Sequence, residues 1–261
     1  MLSSAEEQNW GETNMVPKLG VAAAVAAFFI SFGGSAAADT AATNAAIADT
    51  GRPAEDTARD AARKPADMVE FAGMKPGDTV LELLPGGGYF TRIFSKVVGP
   101  SGKLYAAVPD PKGSDAEPAA AAIAAQPGYA NVSVVPIAPL PALPPLDIIW
   151  TSWNYHDLHL SRVHADMAVV DKQWFNMLKP GGVVVIVDHV ALPGSPPVET
   201  ADKLHRIDPA VVKTEMAAAG FTFDGESNVL ANPADPHTAL VFDPSIRGKT
   251  DQFAYRFKKA K

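Results

Sequence analysis

From residue 79 onward the chain alternates between short apolar runs and stretches whose apolar residues recur at helical spacing. Thr79–Leu84 reads as a buried strand and Tyr89–Val98 as a helix, which Gly99-Pro100-Ser101-Gly102 stops. Lys103–Val108 is a second strand, Ala116–Ala125 an alanine-rich helix, and Asn131–Ile137 a third strand before the proline-rich connector APLPALPP. Asp147–Ser152 (DIIWTS) is a fourth strand. SRVHADMAVVDKQWFNML is a helix closed by the turn KPGG. VVVIVDHV follows, apolar on both faces and therefore a central strand. Asp208 caps and Pro209 opens another helix, which Gly220 ends; Phe221–Leu230 and Gln252–Phe257 are the last strands.

Such alternation predicts an α/β fold, a doubly wound and mostly parallel sheet covered by helices on both faces. Ligands in such sheets bind at the carboxyl ends of the strands, near the switch in strand order. LLPGGGYF, residues 83–90, lies at one of these ends. Three glycines cost backbone entropy on folding, so their use there predicts a close approach by a ligand to main-chain N–H groups at a helix start.

Upstream, RPAEDTARDAARKPADMVEFAGM reads as helical, with Pro65 in a first turn, and Ala/Thr/Asp-rich residues 39–52 read as a flexible lead-in. KLGVAAAVAAFFISFGGSAAADT has a lysine, an apolar run over Leu19–Phe32 and the small residues Ala36-Ala37-Ala38, the order of a secretory signal. Cleavage after Ala38 and an exported, periplasmic protein are the expectation, with an uncleaved anchor as the alternative and Met15 as a second candidate start. Residues 53–261 are then the folded domain. Net charge is -7 and pI about 5.3, which offers no basic field to nucleic acid. Cysteine is absent, which excludes thiolate nucleophiles and cysteine zinc sites.

Three segments together carry a family resemblance: KPGDTVLELLPGGGYFTRIFSKVVGPSGKLYAAVPD, LDIIWTSWNYHDL and WFNMLKPGGVVVIVDHV. In this order they resemble the motifs of class I S-adenosylmethionine (SAM) dependent methyltransferases, over roughly Asp67 to Lys261. The tail DPHTALVFDPSIRGKTDQFAYRFKK resembles a branch of exported predicted methyltransferases. The resemblance implies a Rossmann-like, seven-stranded sheet with an antiparallel last strand, SAM as cofactor, and methyl transfer to a small molecule. It assigns Glu82, Pro85, Gly86, Gly87 and Gly88 to the cofactor loop, with bulk at Gly86 or Gly88 striking the ligand. Leu84 stands where the family has its first glycine. Val108 stands where it has the ribose-binding acid, and Asp110 is the nearby substitute.

WTSWNYHDLHLSRVH, at the end of the fourth strand, is the richest stretch in chemistry. There His156 is the candidate base, Asp157 its orienting carboxylate and Tyr155 a hydrogen-bonding partner of the acceptor. Asp188 and His189 are expected to line the substrate side. Two other readings stay open. One is a non-catalytic small-molecule-binding protein on the same scaffold. The other, ranked lower, is a metal-dependent hydrolase using His156, Asp157 and His159 with Asp188 and His189; the favoured reading includes no metal.

Overall fold

Residues 33–109, 118–163 and 165–261 are described by the structure, a computed structural model. Most of the leader expected over 1–38 lies outside these residues, as do Asp110 and His164. In chain order the elements are α1 (Gly33–Ile47), α2 (Ala54–Thr57), α3 (Asp60–Arg63), α4 (Pro65–Ala72), β1 (Thr79–Leu83), α5 (Tyr89–Val98), β2 (Lys103–Val108), α6 (Pro118–Ala124) and β3 (Val132–Pro136). They continue with β4 (Leu146–Ser152), α7 (Tyr155–Leu158), α8 (Met167–Met177), β5 (Leu178–His189), α9 (Pro197–Leu204), α10 (Pro209–Ala219), β6 (Thr222–Ser227) and β7 (Gln252–Lys258).

Among the described residues seven strands form one sheet in the order β3-β2-β1-β4-β5-β7-β6. All neighbours are parallel except β7, which runs antiparallel to both β5 and β6. The strand order reverses between β1 and β4, and the glycine turn follows β1 at that crevice. Alternation sorts β5 between the two cores. Val185 and Val187 face α4 and α5, where Met68, Val69, Phe90, Ile93, Phe94 and Val97 are buried. Val184 and Ile186 face Trp174 of α8 and Val212 and Met216 of α10. Each fully buried side chain of this size contributes about 1.5–3 kcal/mol, so both faces fix the register of β5.

Three expectations need correction. The lead-in over 39–52 is helical as far as Ile47: α1 runs through the boundary expected after Ala38, and Thr43 and Ala46 are buried. α1 packs on α4 and α5. KPGG is not a stop between helix and strand but a bulge within β5. Leu178 already pairs with Leu146, Val183 pairs with Ile148, and 179–182 loop out opposite Asp147, whose carboxylate accepts from Lys179 Nζ at 2.7 Å. Finally, α8 begins at Met167 rather than Ser161, because Asp166 caps it by accepting from the N–H groups of Ala168 and Val169.

Candidate functional site

The turn after β1 is built around left-handed backbone. Leu84, Gly86 and Gly88 have φ of 51°, 56° and 77°. A leucine in that region is strained, and such strain concentrates where ligands are held. The Leu84 N–H donates to Ala107 O at 2.9 Å, while Leu84 O accepts from Asn154 Nδ2 at 3.2 Å. Asn154 also donates to Ser152 O, tying the loop after β4 to the glycine turn. Glu82 is buried and accepts from Thr91 Oγ1 at 2.7 Å, which links the strand below the turn to the helix beyond it.

The three glycines serve different purposes. Among the described residues, a Cβ at Gly86 or Gly87 would meet nothing within 4 Å. A Cβ at Gly88 would lie 2.2 Å from Ile123 Cδ1, so packing against α6 also constrains this position, beside the ligand approach expected there. Gly88→Ala should therefore destabilise the fold by about 1–3 kcal/mol, through overpacking and a left-handed alanine. Gly87→Ala should stay within about 0.5 kcal/mol. Paired urea titrations check the contrast, and equal losses would show that the turn needs glycine throughout.

Two cavities meet at this turn, sharing Leu84 and Asn154. The smaller, about 150 Å³, is lined by Arg59, Arg63, Glu82, Pro85–Gly87, Tyr89, Phe90 and Ser152–Asn154. The other, about 370 Å³ and mainly apolar, lies between Leu83, the 137–140 segment, Thr151, Leu158 and Trp174. A larger groove of about 900 Å³ between the proline-rich connector and α8 is a solvent-facing surface, without the glycine turn or a buried charge in its wall.

The smaller cavity holds an arginine whose situation differs from its neighbours. Arg52 pairs with Asp60 through two hydrogen bonds, and Tyr89 Oη donates to the same carboxylate at 2.6 Å. Arg59 and Arg92 share Asp56. Arg63 has no carboxylate partner among the described residues. Its guanidinium lies between the rings of Tyr89 and Trp153, 4.5 and 4.4 Å from their centroids. Burial and the nearby Arg59 charge lower its pKa to about 10 against the opposing pull of Asp56, so it stays cationic at neutral pH.

The residues expected to be catalytic lie elsewhere. Tyr155 is fully buried, and its hydroxyl lies 3.0 Å from Asp171 Oδ2 and 2.8 Å from Glu215 Oε2, so it meets no acceptor in either cavity. His156 is 2% exposed and lines neither cavity. Its orienting carboxylate is Asp188 at Nδ1 (2.7 Å), not the adjacent Asp157, which lies 3.3 Å from Nε2. Burial works against charge on this ring, but Asp188 and Asp157 outweigh it and raise the pKa to about 10, far from that of a free base at neutral pH. Asp188 is fully buried and accepts from the N–H groups of His156 and His189, so it orients a ring instead of lining a cavity. His189 binds Thr250, and burial lowers its pKa to about 4. His159 turns to Glu215 at 3.2 Å, so the His156/His159 pair does not converge. Sequence reasoning missed Arg63, Asn154 and His205; only the polar character of Asn154 within SWNYHD could have signalled it.

Strand order, the antiparallel β7 and the glycine turn at the β1/β4 crevice define the class I SAM-dependent methyltransferase fold. A SAM-dependent methyltransferase from Aquifex aeolicus superposes with a TM-score of 0.56 at 20% identity, covering 79% of this chain and 98% of that one. CrArsM, an arsenic(III) SAM methyltransferase from Chlamydomonas reinhardtii, matches at 0.50 and 17%, over 84% and 73% of the two chains. The [4+2]-cyclase SpnF matches at 0.53 and 16%, over 76% and 82%. No family model and no curated protein matches the sequence.

Proposed function

We propose that this chain binds SAM across the two cavities and transfers its methyl group to a small-molecule acceptor beside the end of β4. The supporting observation is the pair of cavities joined at Leu84 and Asn154, one charged and one apolar, under the glycine turn. The residues present fit the cofactor. Arg63 offers a half-buried cation to its carboxylate, Gly86 and Gly87 leave room for its chain, and the 370 Å³ cavity offers apolar walls to its base. Bound, SAM supplies an electrophilic methyl on a sulfonium centre, and in-line transfer demands chiefly a close and aligned acceptor. Ser152, Trp153 and Asn154 provide the wall against which an acceptor would align. The mild negative charge favours a small acceptor over nucleic acid.

Calorimetric titration of SAM into the purified protein tests this reading. Wild type should bind, and Arg63→Ala should weaken binding about 10- to 100-fold, since a hydrogen bond to a charged group contributes about 1.5–3 kcal/mol. Arg63→Ala also gives up stacking on Tyr89 and Trp153, so a modest fall in melting temperature is expected, and affinities are compared at 25 °C on protein shown to be folded. Absence of binding by the wild type would overturn the proposal. Unchanged affinity in the variant would remove Arg63 from it.

A further inference from the structure

His156 Nε2, Asp157 Oδ1 and His205 Nδ1 face one another in a nearly equilateral triangle. The edges are 3.2 Å between the two histidines, 3.3 Å from His156 to Asp157 and 3.4 Å from His205 to Asp157. We propose that these three residues bind one divalent transition-metal ion of the Zn²⁺ class, at a site separate from the two cavities. A metal at about 2.0–2.1 Å from three tetrahedrally disposed ligands sets them about 3.3–3.4 Å apart, which is the spacing found here.

The surroundings support the same reading. His156 holds Asp188 Oδ1 at 2.7 Å through Nδ1, so Nε2 is the nitrogen that points into the triangle, and a metal bound there would displace the proton that Nε2 otherwise shares with Asp157. A buried carboxylate on the far nitrogen is the usual support of a metal-bound histidine, fixing both tautomer and ring orientation. Asp188 is itself fixed by the His156 and His189 N–H groups, so the ring is held in place. Two imidazoles with one carboxylate suit Zn²⁺, Co²⁺ or Fe²⁺, whereas Mg²⁺ and Ca²⁺ prefer all-oxygen sites. The Asp157 and His205 side chains are 29% and 22% exposed, which leaves a fourth position open to water or to a ligand donor atom. Phe242 packs its ring 5.0 Å from that of His205 and shields one side.

The test is calorimetric titration of the full-length protein with ZnCl₂ after dialysis against EDTA, with Co²⁺ absorption as a second readout. Wild type should take up one equivalent, and Co²⁺ should give the intense visible bands of a four-coordinate ion. His205→Asn should lose at least 100-fold in affinity; asparagine tolerates the left-handed backbone of this position (φ 51°), so the fold should survive. Asp188→Asn should weaken binding about 10- to 100-fold, as losses of such supporting groups do. Failure of the wild type to bind stoichiometrically would mean that a shared proton closes the triangle, and the proposal would fall. Uptake that His205→Asn leaves intact would place the metal elsewhere and overturn it equally. SAM titration of the same metal-free protein reports on the cofactor reading alone, so the two proposals can fail separately.

Discussion

Replacing Asp235 by alanine should cost about 3–5 kcal/mol of stability, the loss typical when one partner of a buried ion pair is removed. Arg206 and Asp235 are both inaccessible to solvent, and two hydrogen bonds of 2.8 and 3.1 Å join them. Arg206 also donates to the carbonyls of Val190 and Ala239, while Asp235 accepts from the N–H groups of His237 and Asp251. The pair therefore holds the long irregular segment between β6 and β7 against the end of β5. Alanine leaves a buried guanidinium with carbonyls only and strands two N–H groups. Burial works against the Asp235 charge, but Arg206 and these N–H donors hold its pKa below the usual carboxylate value. Its contribution is thus present above about pH 4 and is lost as acid titrates the folded-state carboxyl. Urea titrations at pH 7 measure the effect. A loss below about 1 kcal/mol would mean that this segment is held by other contacts.

Asp171→Asn should act in the opposite direction and make the protein more stable at pH 8. Burial raises the Asp171 pKa to about 7; the Tyr155 hydrogen bond opposes that rise and the nearby Glu215 adds to it. One phenol proton cannot serve both carboxylates near Tyr155 Oη. A protonated Asp171 resolves this, because it donates to Tyr155 while Tyr155 donates to Glu215. A group whose folded pKa lies above its unfolded value of about 4 favours folding in acid, and that benefit is lost as pH rises through 7. Above this point the wild type carries the cost of a buried charge, about 1.4 kcal/mol for each tenfold weakening of the acid by folding. Asparagine keeps the donor and never ionises. Its advantage should reach about 1–4 kcal/mol at pH 8 and shrink toward pH 4, as urea midpoints at the two values would show. A variant no more stable than wild type at pH 8 would refute the argument.

Much of the sheet was legible because its signals are strong. The helix over Tyr89–Val98 and the strand over Lys103–Val108 have the expected bounds, and Asp208, Pro209 and Gly220 frame α10 as read. α1 was not legible: it buries Thr43 and Ala46, small residues that leave no apolar stripe to detect. KPGG has the composition of a stop, and only pairing with Leu146 and Ile148 shows it to be a bulge. The glycine turn and Glu82 were placed from the sequence, but the packing purpose of Gly88 depends on Ile123, far along the chain. Arg63 could not be separated from Arg52 and Arg59 until their acids were assigned. The approach of His205 to His156 spans 49 positions and has no local spacing to reveal it. The DPH tail motif drew notice through resemblance, and its Asp235 proves to anchor the segment to Arg206.

The β1/β4 pairing has a kinetic consequence. The Thr79 N–H donates to a carboxylate 68 positions away, and the cavity walls run from Arg59 to Trp174, through strands that are neighbours in space but distant in sequence. Such contacts carry a high loop-closure cost and form slowly, so no early intermediate built from local helices can contain the pocket. A small molecule held there makes its contacts with the native state after the rate-limiting barrier to folding. It would lengthen the lifetime of the folded chain by slowing unfolding and leave the speed of folding nearly unchanged.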